Sequence, residues 1–587
     1  MLAPKLLLAS LVGVNAFGTT PSGCSKSYIV VGAGGGGAPM AYGLAMAGCE
    51  VTVVERGPDD NWTGSTIDGT PYDLWNWEVS WMYQSTFPND EISVRYWSEA
   101  MWPEGMDRAC GWDCDRQPSS LSMWMHHASI VGGNTMHNLG FWLRGDCSIY
   151  ATWGDDWSCE NVIATFDQIE AMYASVMGQG DITNAPRGQY NSAADEAIYS
   201  IFVDAGYTES TGRSVGDRME FSVSWTEWTN SIYQLPFAGG SEMTTGSSRV
   251  TVGKVFIDPL RTMSNFMLHT NTKAMKLNFD GTTCTGITAC SAFSNVCQGD
   301  EFTLTADETM IALGSVTTAQ LLLVSGVGPS ADLEELGIPV VADLPVGETY
   351  QNHVFNGALY CAPASDLPTE GLSYFPPDGL VKGVTTTYPT TTANIWTQGT
   401  SSVSPGWADY SMSFISNIPE GPFASYFNMS NYGEICSEAF GMQPLFVIIG
   451  VQYAHSRGSV TVASDSMADY PVWQPGMLSN DNDATILYEA FAKLRSLLAP
   501  AGYAELFPGD DADMEYYSIY GTSGTFWHDS STTPIGTVLT SDLKVMGIEG
   551  LRVCDSSMQP SLANMPPTAI IQAAGLMGAT IALRDAM

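Results

Sequence analysis

An apolar run that leads directly into a glycine-rich turn is the feature that most constrains the fold. Residues 28–37 read Tyr-Ile-Val-Val-Gly-Ala-Gly-Gly-Gly-Gly, and a small-residue segment follows before a second apolar run that ends at Glu55. This strand–turn–helix–strand pattern with G-x-G-x-x-G spacing is the βαβ fingerprint of a dinucleotide site. The sequence therefore predicts a parallel sheet and a site for FAD or NAD, and the less specific alternative is a glycine-rich structural turn.

Each glycine of this turn has a predicted part. Gly32 allows the tight turn, Gly34 lets the backbone approach a pyrophosphate, and Gly37 lets the helix pack closely on the strand. The pyrophosphate is predicted to lie at the helix N-terminus, where N–H groups and the helix dipole favour negative charge. Glu55 lies where a carboxylate accepts hydrogen bonds from ribose hydroxyls.

The first sixteen residues have the pattern of a secretory signal. Lys5 supplies a positive charge, residues 6–14 are apolar, and residues 14–16 form a small-residue cleavage site. The apolar stretch is too short to span a bilayer, and we found no later stretch that is long and apolar enough. We therefore expect a secreted or lumenal protein, with residues 1–16 removed.

Twelve cysteines fit an oxidising compartment, although their number is too small for a disulfide scaffold of 587 residues. Three pairs are close enough in sequence to be disulfide candidates: Cys110/Cys114, Cys147/Cys159 and Cys290/Cys297. Metal binding is the alternative for the first pair, but no second His or Cys pair stands at metal-finger spacing, so we predict no metal site. Asn61 and Asn428 match the N-glycosylation pattern.

Acidic residues outnumber Lys and Arg by 62 to 22, which gives a formal charge of −40. Such a charge argues against nucleic acid or an anionic membrane as a partner. Because the acids are spread along the chain, we interpret them as a solvated acidic surface.

Hydrophobic periodicity suggests the elements that surround these motifs. Residues 60–125 are predicted to form long loops, and residues 370–470 a sheet in a second domain. Helices are predicted at 151–175, 316–325 (amphipathic) and 568–583, and short strands at 249–252, 266–277, 285–289 and 302–305.

Four separated blocks of the chain resemble the glucose–methanol–choline (GMC) flavoprotein oxidoreductases. The second block, residues 132–145, resembles the family's Gly-Gly-Ser-Ser-x-Ile-Asn run and its trailing Arg-Gly. The third, residues 314–329 with 346–353, resembles the family's second signature sequence. The blocks are residues 28–55, 132–145, 314–329 with 346–353, and 547–560.

The resemblance implies an α/β fold with a discontinuous, Rossmann-like FAD-binding domain and a substrate domain built on an antiparallel sheet flanked by helices. The implied FAD domain comprises residues 25–150, 245–345 and 540–587, and the implied substrate domain residues 151–244 and 346–539. The residues implied to hold FAD are Gly32, Gly34, Gly35, Gly37, Glu55, Gly132, Gly133, His137, Asn138, Ala274, Asp555 and Thr568.

The family oxidises alcohols with a histidine that takes the hydroxyl proton while FAD accepts the hydride, and His suits this role because its pKa lies near neutrality. In this sequence the resemblance places the base at His528 and its partner, which holds the substrate oxygen, at Asn564. A core histidine and a turn or cap asparagine are the structural alternatives. His353 matches a family position interpreted as structural.

Three of the features that depart from the family pattern bear on the predicted site. His137 replaces a common Ile, and in some members a histidine in this neighbourhood is covalently bonded to the flavin; non-covalent packing at the flavin edge is the alternative. The run before Gly132 has His126 and His127 but lacks the usual basic residue. After His528, residues 529–532 read Asp-Ser-Ser-Thr instead of Pro-Val-Gly-Thr.

The sequence thus predicts a secreted FAD-dependent oxidoreductase that acts on a small-molecule alcohol or sugar and passes electrons to oxygen or a quinone-like or protein acceptor. An FAD-containing hydroxynitrile lyase of the same fold is the main alternative, since it uses the base without net redox chemistry. A catalytically inactive FAD-binding protein is a third interpretation, suggested by the altered run after His528.

Overall fold

The computed structural model describes residues 24–59, 80–84, 124–136, 143–176, 193–209, 231–234, 251–293, 296–363, 395–416, 432–509 and 524–585. Within these ranges no helix is both long enough and apolar enough to cross a membrane.

The strands and helices are numbered here in chain order. The strands are β1 Ser27–Val31, β2 Glu50–Val54, β3 Ser80–Gln84, β4 Trp124–Ala128, β5 Thr208–Glu209, β6 Ser231–Gln234, β7 Phe266–His269, β8 Thr272–Asp280, β9 Thr283–Phe293, β10 Val296–Thr305, β11 Glu308–Ile311, β12 Val327–Gly328, β13 Ala342–Asp343, β14 Val354–Pro363, β15 Ile395–Gly399, β16 Tyr410–Ser416, β17 Met442–Val451, β18 Ser459–Thr461, β19 Val472–Gln474, β20 Ala504–Phe507, β21 Gly524–Thr525 and β22 Leu551–Val553. The α-helices are α1 Gly37–Met46, α2 Cys147–Tyr150, α3 Cys159–Val176, α4 Ala193–Asp204, α5 Ser315–Val324, α6 Ser330–Glu335, α7 Tyr432–Phe440, α8 Asp481–Leu498 and α9 Thr568–Asp585.

A parallel sheet with the order β22-β11-β1-β2-β7 forms the first region. Its strands are short. They are also apolar, because helices cover the sheet, as expected of parallel sheets. The C-terminal helix α9 packs against α1 so closely that a Cβ at Gly43 would lie 2.5 Å from the Ala579 side chain. The strands of this sheet come from widely separated parts of the chain, so the region is discontinuous.

An antiparallel sheet forms the second region. Its order is β20-β14-β17-β16-β15-β6-β5, with β21 also paired to β14. The long central pair β14 and β17 is in continuous register from Val354↔Val451 to Pro363↔Met442, and both strands are largely buried. Helix α8 packs against this sheet and buries Leu487, Phe491 and Leu494. The fold class predicted from the sequence is confirmed.

Two local predictions were wrong. The helix at 315–324 is not amphipathic, because every residue of α5 is buried between the sheet and the segments that follow it. The expected strand at 249–252 is absent from its described part, where Thr251 and Val252 precede a π-helix at Gly253–Ile257. Phe256 of that turn packs edge-on against Tyr42 of α1, so tertiary packing overrides the β-propensity of the run.

Four disulfides lie within the described residues: Cys24–Cys49, Cys147–Cys159, Cys290–Cys297 and Cys361–Cys436. The second and third confirm the predicted pairs. The predicted Cys110/Cys114 pair, and the glycosylation acceptors Asn61 and Asn428, lie outside the described residues.

Candidate active site

The glycine-rich turn joins β1 to α1 as the sequence predicts. Gly32 has φ +104°, and a Cβ there would lie 2.3 Å from the Ala312 carbonyl oxygen of the neighbouring strand end. Only glycine fits that position without moving the backbone. Gly34 and Gly35 follow in the turn, and Gly37 begins α1, whose N-cap at Gly36 makes no side-chain hydrogen bond. The helix N-terminus therefore presents N–H groups suited to an anionic pyrophosphate.

The second glycine pair lies directly against this turn. Gly132 and Gly133 both have positive φ, and a Cβ at Gly133 would lie 2.8 Å from the Gly34 Cα. The two glycine segments therefore form one close-packed backbone cradle, although they are separated by about a hundred residues of sequence. Side chains would fill this cradle, so its shape fits the cofactor that the family resemblance implies.

Glu55 braces the turn from the end of β2. Its carboxylate accepts hydrogen bonds from the N–H groups of Ala33 at 3.0 Å and Gly57 at 2.9 Å. Burial raises the pKa of Glu55, while these two bonds oppose the rise. Each oxygen retains a further lone pair, so the carboxylate has the capacity to accept ribose hydroxyls as well.

Asp555 joins two distant segments of the first region. Its Oδ2 accepts from the Gly314 N–H at 2.9 Å and the Thr318 hydroxyl at 2.6 Å, and its Oδ1 accepts from the Ser557 N–H at 2.8 Å. Burial raises the pKa of this carboxyl, against the effect of these hydrogen bonds. In the structure Asp555 therefore holds the backbone at the start of α5 against the turn after β22.

The remaining predicted cofactor residues lie at different places. Ala274 is buried in β8, two residues after Thr272, whose N–H donates to the Glu55 carbonyl oxygen at 2.9 Å. Thr568 is the first residue of α9. His137 and Asn138, and with them the predicted covalent flavin bond, lie outside the described residues.

His528 is held by its neighbours on three sides. Its backbone N–H donates to the Asn352 Oδ1 at 3.0 Å, its ring stacks on Phe526, and its Nδ1 lies 2.7 Å from the His353 Nδ1. The preceding residue, Trp527, has φ +59°, a conformation that costs free energy in a bulky residue and is often found at functional sites. The loop thus fixes the imidazole of His528 through both backbone and ring contacts.

The partners of His353 determine how both histidines carry their protons. His353 is fully buried, and its Nε2 lies 2.8 Å from the Ala563 carbonyl oxygen and 3.1 Å from that of Gln452. Because both neighbours are carbonyl acceptors, Nε2 must have an N–H. Burial lowers the pKa of His353 to about 4, so the ring is neutral. A neutral ring protonated at Nε2 has a lone pair at Nδ1. The 2.7 Å contact then requires an N–H at the His528 Nδ1.

It follows that the His528 Nε2 is unprotonated and has its lone pair available. Burial first, and second the positive charge that His353 carries once it is itself protonated, hold the pKa of His528 well below its usual range. The ring is therefore neutral at neutral pH, as a general base must be. The sequence assigned His353 only a structural part, whereas the structure places it in direct contact with His528.

A buried polar cluster supports the same loop from behind. Asp529 Oδ2 lies 2.8 Å from the His127 Nε2, and Asp529 Oδ1 accepts from the Tyr350 hydroxyl and, at 3.2 Å, from the Asn352 amide. Asn352 in turn accepts the His528 backbone N–H. Two departures from the family pattern, His127 and Asp529, thus contact each other, and the altered run after His528 is a connected hydrogen-bonded structure.

Asn564 is almost completely buried at 2% exposure. Its Oδ1 accepts from the Asp146 N–H at 3.0 Å, and its Nδ2 donates to the Ala408 carbonyl oxygen at 3.2 Å. The preceding carbonyl, that of Ala563, is one of the two that fix His353. Asn564 therefore directly follows the residue whose carbonyl holds His353, and its amide retains one N–H and one lone pair for a further bond.

Sequence reasoning missed His353, His127 and Asp529 as members of the site. The signal for His353 was present, because Asn352 and His353 end the third block. For His127 and Asp529 the sequence showed only that they depart from the family pattern, and their contact joins residues 402 positions apart.

Several known proteins are similar to this chain along nearly its full length. An oxidoreductase named cicC from Emericella nidulans is 25% identical over alignments covering 96% of this chain and 95% of that protein. A choline oxidase from Arthrobacter globiformis is 27% identical, covering 93% of this chain and 92% of that protein. The crystal structure of pyridoxine 4-oxidase from Mesorbium loti has a TM-score of 0.69 at 18% identity, covering 95% of this chain and 99% of that one.

Two family models, each described as GMC oxidoreductase, match residues 28–355 and 454–575. These matches include the glycine-rich turn, the second glycine pair, His353, His528 and Asn564, and together they cover most of the chain. FAD is the cofactor of this family, and alcohol oxidation is its characteristic reaction. The chain therefore belongs to the GMC oxidoreductases.

Proposed function

We propose that this chain is a secreted enzyme that oxidises the CH–OH group of a small-molecule alcohol or sugar, with His528 as the base. The observation that carries the proposal is the Nδ1–Nδ1 contact of 2.7 Å between His353 and His528. Because His353 accepts in that contact, the His528 Nε2 is free to take the proton of a substrate hydroxyl. The low pKa of His528 keeps this nitrogen unprotonated before the substrate binds.

Asn564 is proposed to hold the substrate oxygen. Its amide is fixed by the Asp146 N–H and the Ala408 carbonyl, so its remaining N–H has a defined direction. An amide donor stabilises an oxygen that is losing its proton and does not compete for that proton. Fixing the donor in advance reduces the reorganisation that catalysis would otherwise require.

The residues proposed to bind FAD divide between its two halves. Gly32, Gly34, Gly35, Gly37 and Glu55 would hold the ADP half through the cradle and the N-terminus of α1. The residues proposed for the flavin side and its linker are Gly132, Gly133, Asn138, Asp555 and Thr568, with Ala274 beside the ADP half and His137 as the proposed covalent attachment. When bound, FAD supplies the acceptor for the hydride that leaves the carbinol carbon.

The names of the relatives support an alcohol substrate without selecting one. Choline oxidase and pyridoxine 4-oxidase are named for alcohols of different shape, and both are similar to this chain along nearly its full length. We propose oxygen or a quinone-like acceptor for the electrons. Secretion is supported by the signal-like residues 1–16, the four disulfides and the acidic composition.

The test is anaerobic mixing of the secreted holoenzyme with single alcohols and sugars while the oxidised-flavin absorbance is followed. The expected result is bleaching by at least one compound. The variant His528→Ala should retain flavin but be reduced roughly a hundred- to ten-thousandfold more slowly, because the base is missing. His269→Gln, a substitution at the end of β7, is the matched control and should react like the unmodified enzyme.

Two results would contradict the proposal. Equal reduction rates for His528→Ala and the unmodified enzyme would remove His528 as the base. Cyanohydrin cleavage, measured as cyanide release, with a flavin that no alcohol bleaches would assign the chain to the lyase class instead.

A further inference from the structure

Three polar side chains lie side by side on one face of the antiparallel sheet. Gln398 of β15 is directly opposite Ser411 of β16, and Ser411 is opposite Gly450 of β17. Opposite residues of antiparallel strands share a face. Gln452, just beyond β17, donates from its Nε2 to the Ser411 hydroxyl oxygen at 2.9 Å. Gln398, Ser411 and Gln452 are called the glutamine strip below.

The same face of the sheet is turned toward His528. A Cβ at Gly450 would lie 2.7 Å from the Phe526 ring and 2.9 Å from the Gln452 Nε2, so both side chains converge over this glycine. Phe526 stacks on His528 with ring centroids 5.7 Å apart. The glutamine strip is therefore separated from the proposed base by one aromatic ring.

The strip also contacts the segment that carries Asn564. Gln398 donates from its Nε2 to the Asn564 carbonyl oxygen at 3.1 Å and contacts the Met565 sulfur. This contact fixes the orientation of the Gln398 amide, because the opposite orientation would place two oxygen atoms together. The backbone carbonyl of Gln452 meanwhile accepts from His353. Both glutamines are thus tied to the proposed catalytic residues.

Both glutamines hold a buried polar atom without a partner among the described residues. The Oε1 atoms of Gln398 and Gln452 make no hydrogen bond there, although both residues are 0% exposed. A buried acceptor without a partner destabilises a protein and is uncommon. If the Gln452 amide were turned over, its outer atom would be an unpartnered donor instead. A hydroxyl group satisfies either orientation, because it both donates and accepts.

We propose that the glutamine strip recognises a second hydroxyl of the substrate, so that the enzyme prefers polyhydroxylated alcohols over alcohols with a single hydroxyl. This inference rests on the proposed function, since it places the reacting hydroxyl at His528 and Asn564. A second hydroxyl near the carbinol then meets the Gln398 and Gln452 amides. A quaternary ammonium alcohol has no second donor and leaves both acceptors unpaired.

The test compares matched pairs of substrates on the holoenzyme: xylitol against pentan-1-ol, and glycerol against propan-1-ol. The readout is the ratio of kcat/KM for the polyol to kcat/KM for its single-hydroxyl partner, which cancels any general loss of activity. We expect a ratio above one in the unmodified enzyme, and a fall of about tenfold in Gln398→Met and in Gln452→Met.

Thr397→Val is the matched control. Thr397 is the neighbour of Gln398 on β15, is also buried, and also has a hydroxyl without a partner among the described residues. Because successive strand residues face opposite sides of a sheet, its hydroxyl is on the other face. The substrate ratio should be unchanged in this variant. If a methionine variant does not fold, Ser411→Ala provides a second way to alter the strip and should also lower the ratio.

The outcomes separate this inference from the proposed function. A ratio below one in the unmodified enzyme, or one that the strip variants do not change, overturns the inference while alcohol oxidation stands. If neither member of either pair, nor any other alcohol, reduces the flavin, the proposed function fails and the inference fails with it.

Discussion

The two regions of the molecule build their parts of the site by different means. In the parallel-sheet region the surfaces are backbone: glycine turns and helix N–H groups, braced by Glu55 and Asp555 through bonds to main-chain atoms. In the antiparallel region the surfaces are side chains, which bond one another and distant carbonyls. A backbone surface permits few sequences, whereas a side-chain surface accepts many substitutions. The first region therefore fits a cofactor shared by a family, and the second fits an individual substrate.

The largest expected effect comes from breaking the backbone surface. In Gly32→Ala the new methyl group would lie 2.3 Å from the Ala312 carbonyl at a φ that disfavours side chains. We expect a loss of stability well above about 1 kcal/mol and recovery of little or no flavin-containing protein. Flavin content per polypeptide and the melting temperature measure this. Gly48→Ala is the control, because its φ is similar but a Cβ there meets no atom within 4 Å. Equal flavin loss in both variants would show that backbone conformation alone, and not the close approach, is the cause.

A smaller effect, confined to activity, is expected in the antiparallel region. In His353→Leu the His528 Nδ1 loses its acceptor, so the base is no longer held as one tautomer, and flavin reduction should slow by about a hundredfold. Flavin content should stay near normal. In His353→Gln the amide oxygen should partly restore the rate by accepting from the His528 Nδ1. A glutamine variant no faster than the leucine variant would contradict the tautomer argument.

The pH profile sharpens the same point. Protonation of His528 removes the base, so kcat/KM should fall as the pH drops through the His528 pKa. Since that pKa is held well below the usual value of about 6.5, the fall should begin only below pH 6.5. In His353→Leu one of the two causes of the low pKa is absent, so the fall should move to higher pH. If kcat/KM falls at the same pH in both enzymes, His353 does not affect the pKa of His528.

The smallest expected effect comes from the buried cluster behind the loop. Asp529→Asn retains the size of the side chain but replaces one acceptor with a donor that faces His127 or Tyr350. We expect a loss of about 1–3 kcal/mol in the free energy of unfolding and a modest fall in kcat. Asp469→Asn is the control, since Asp469 is exposed and bonds only locally to Ser464 through its side chain. Equal stability of the two variants would argue that the cluster is not tightly coupled.

The same division explains what the sequence could predict. The βαβ unit was predictable because its turn glycines and apolar strands lie within about thirty residues and each has a steric reason. The roles assigned to His528 and Asn564 came only from family resemblance and stay predictions. The contacts of His127 with Asp529, and of Gln398 with the Asn564 carbonyl, were not predictable, because they join residues that only the tertiary fold brings together. Helix α5 was misjudged because its polar residues are buried and satisfied by tertiary partners such as Asp555.

The hydrogen bonds by which Asp555 joins the start of α5 to the turn after β22 have a consequence for biosynthesis. Asp555, strand β22 and helix α9 follow the start of α1 by more than 500 residues, yet β22 completes the parallel sheet and α9 covers α1. The region around the glycine-rich turn therefore cannot be completed until residues 551–585 have been translated. Until then α1 lacks its contact with α9, and β11 lacks its pairing with β22. Flavin binding should therefore require synthesis through α9. A chain that stops before β22 should be recovered without flavin.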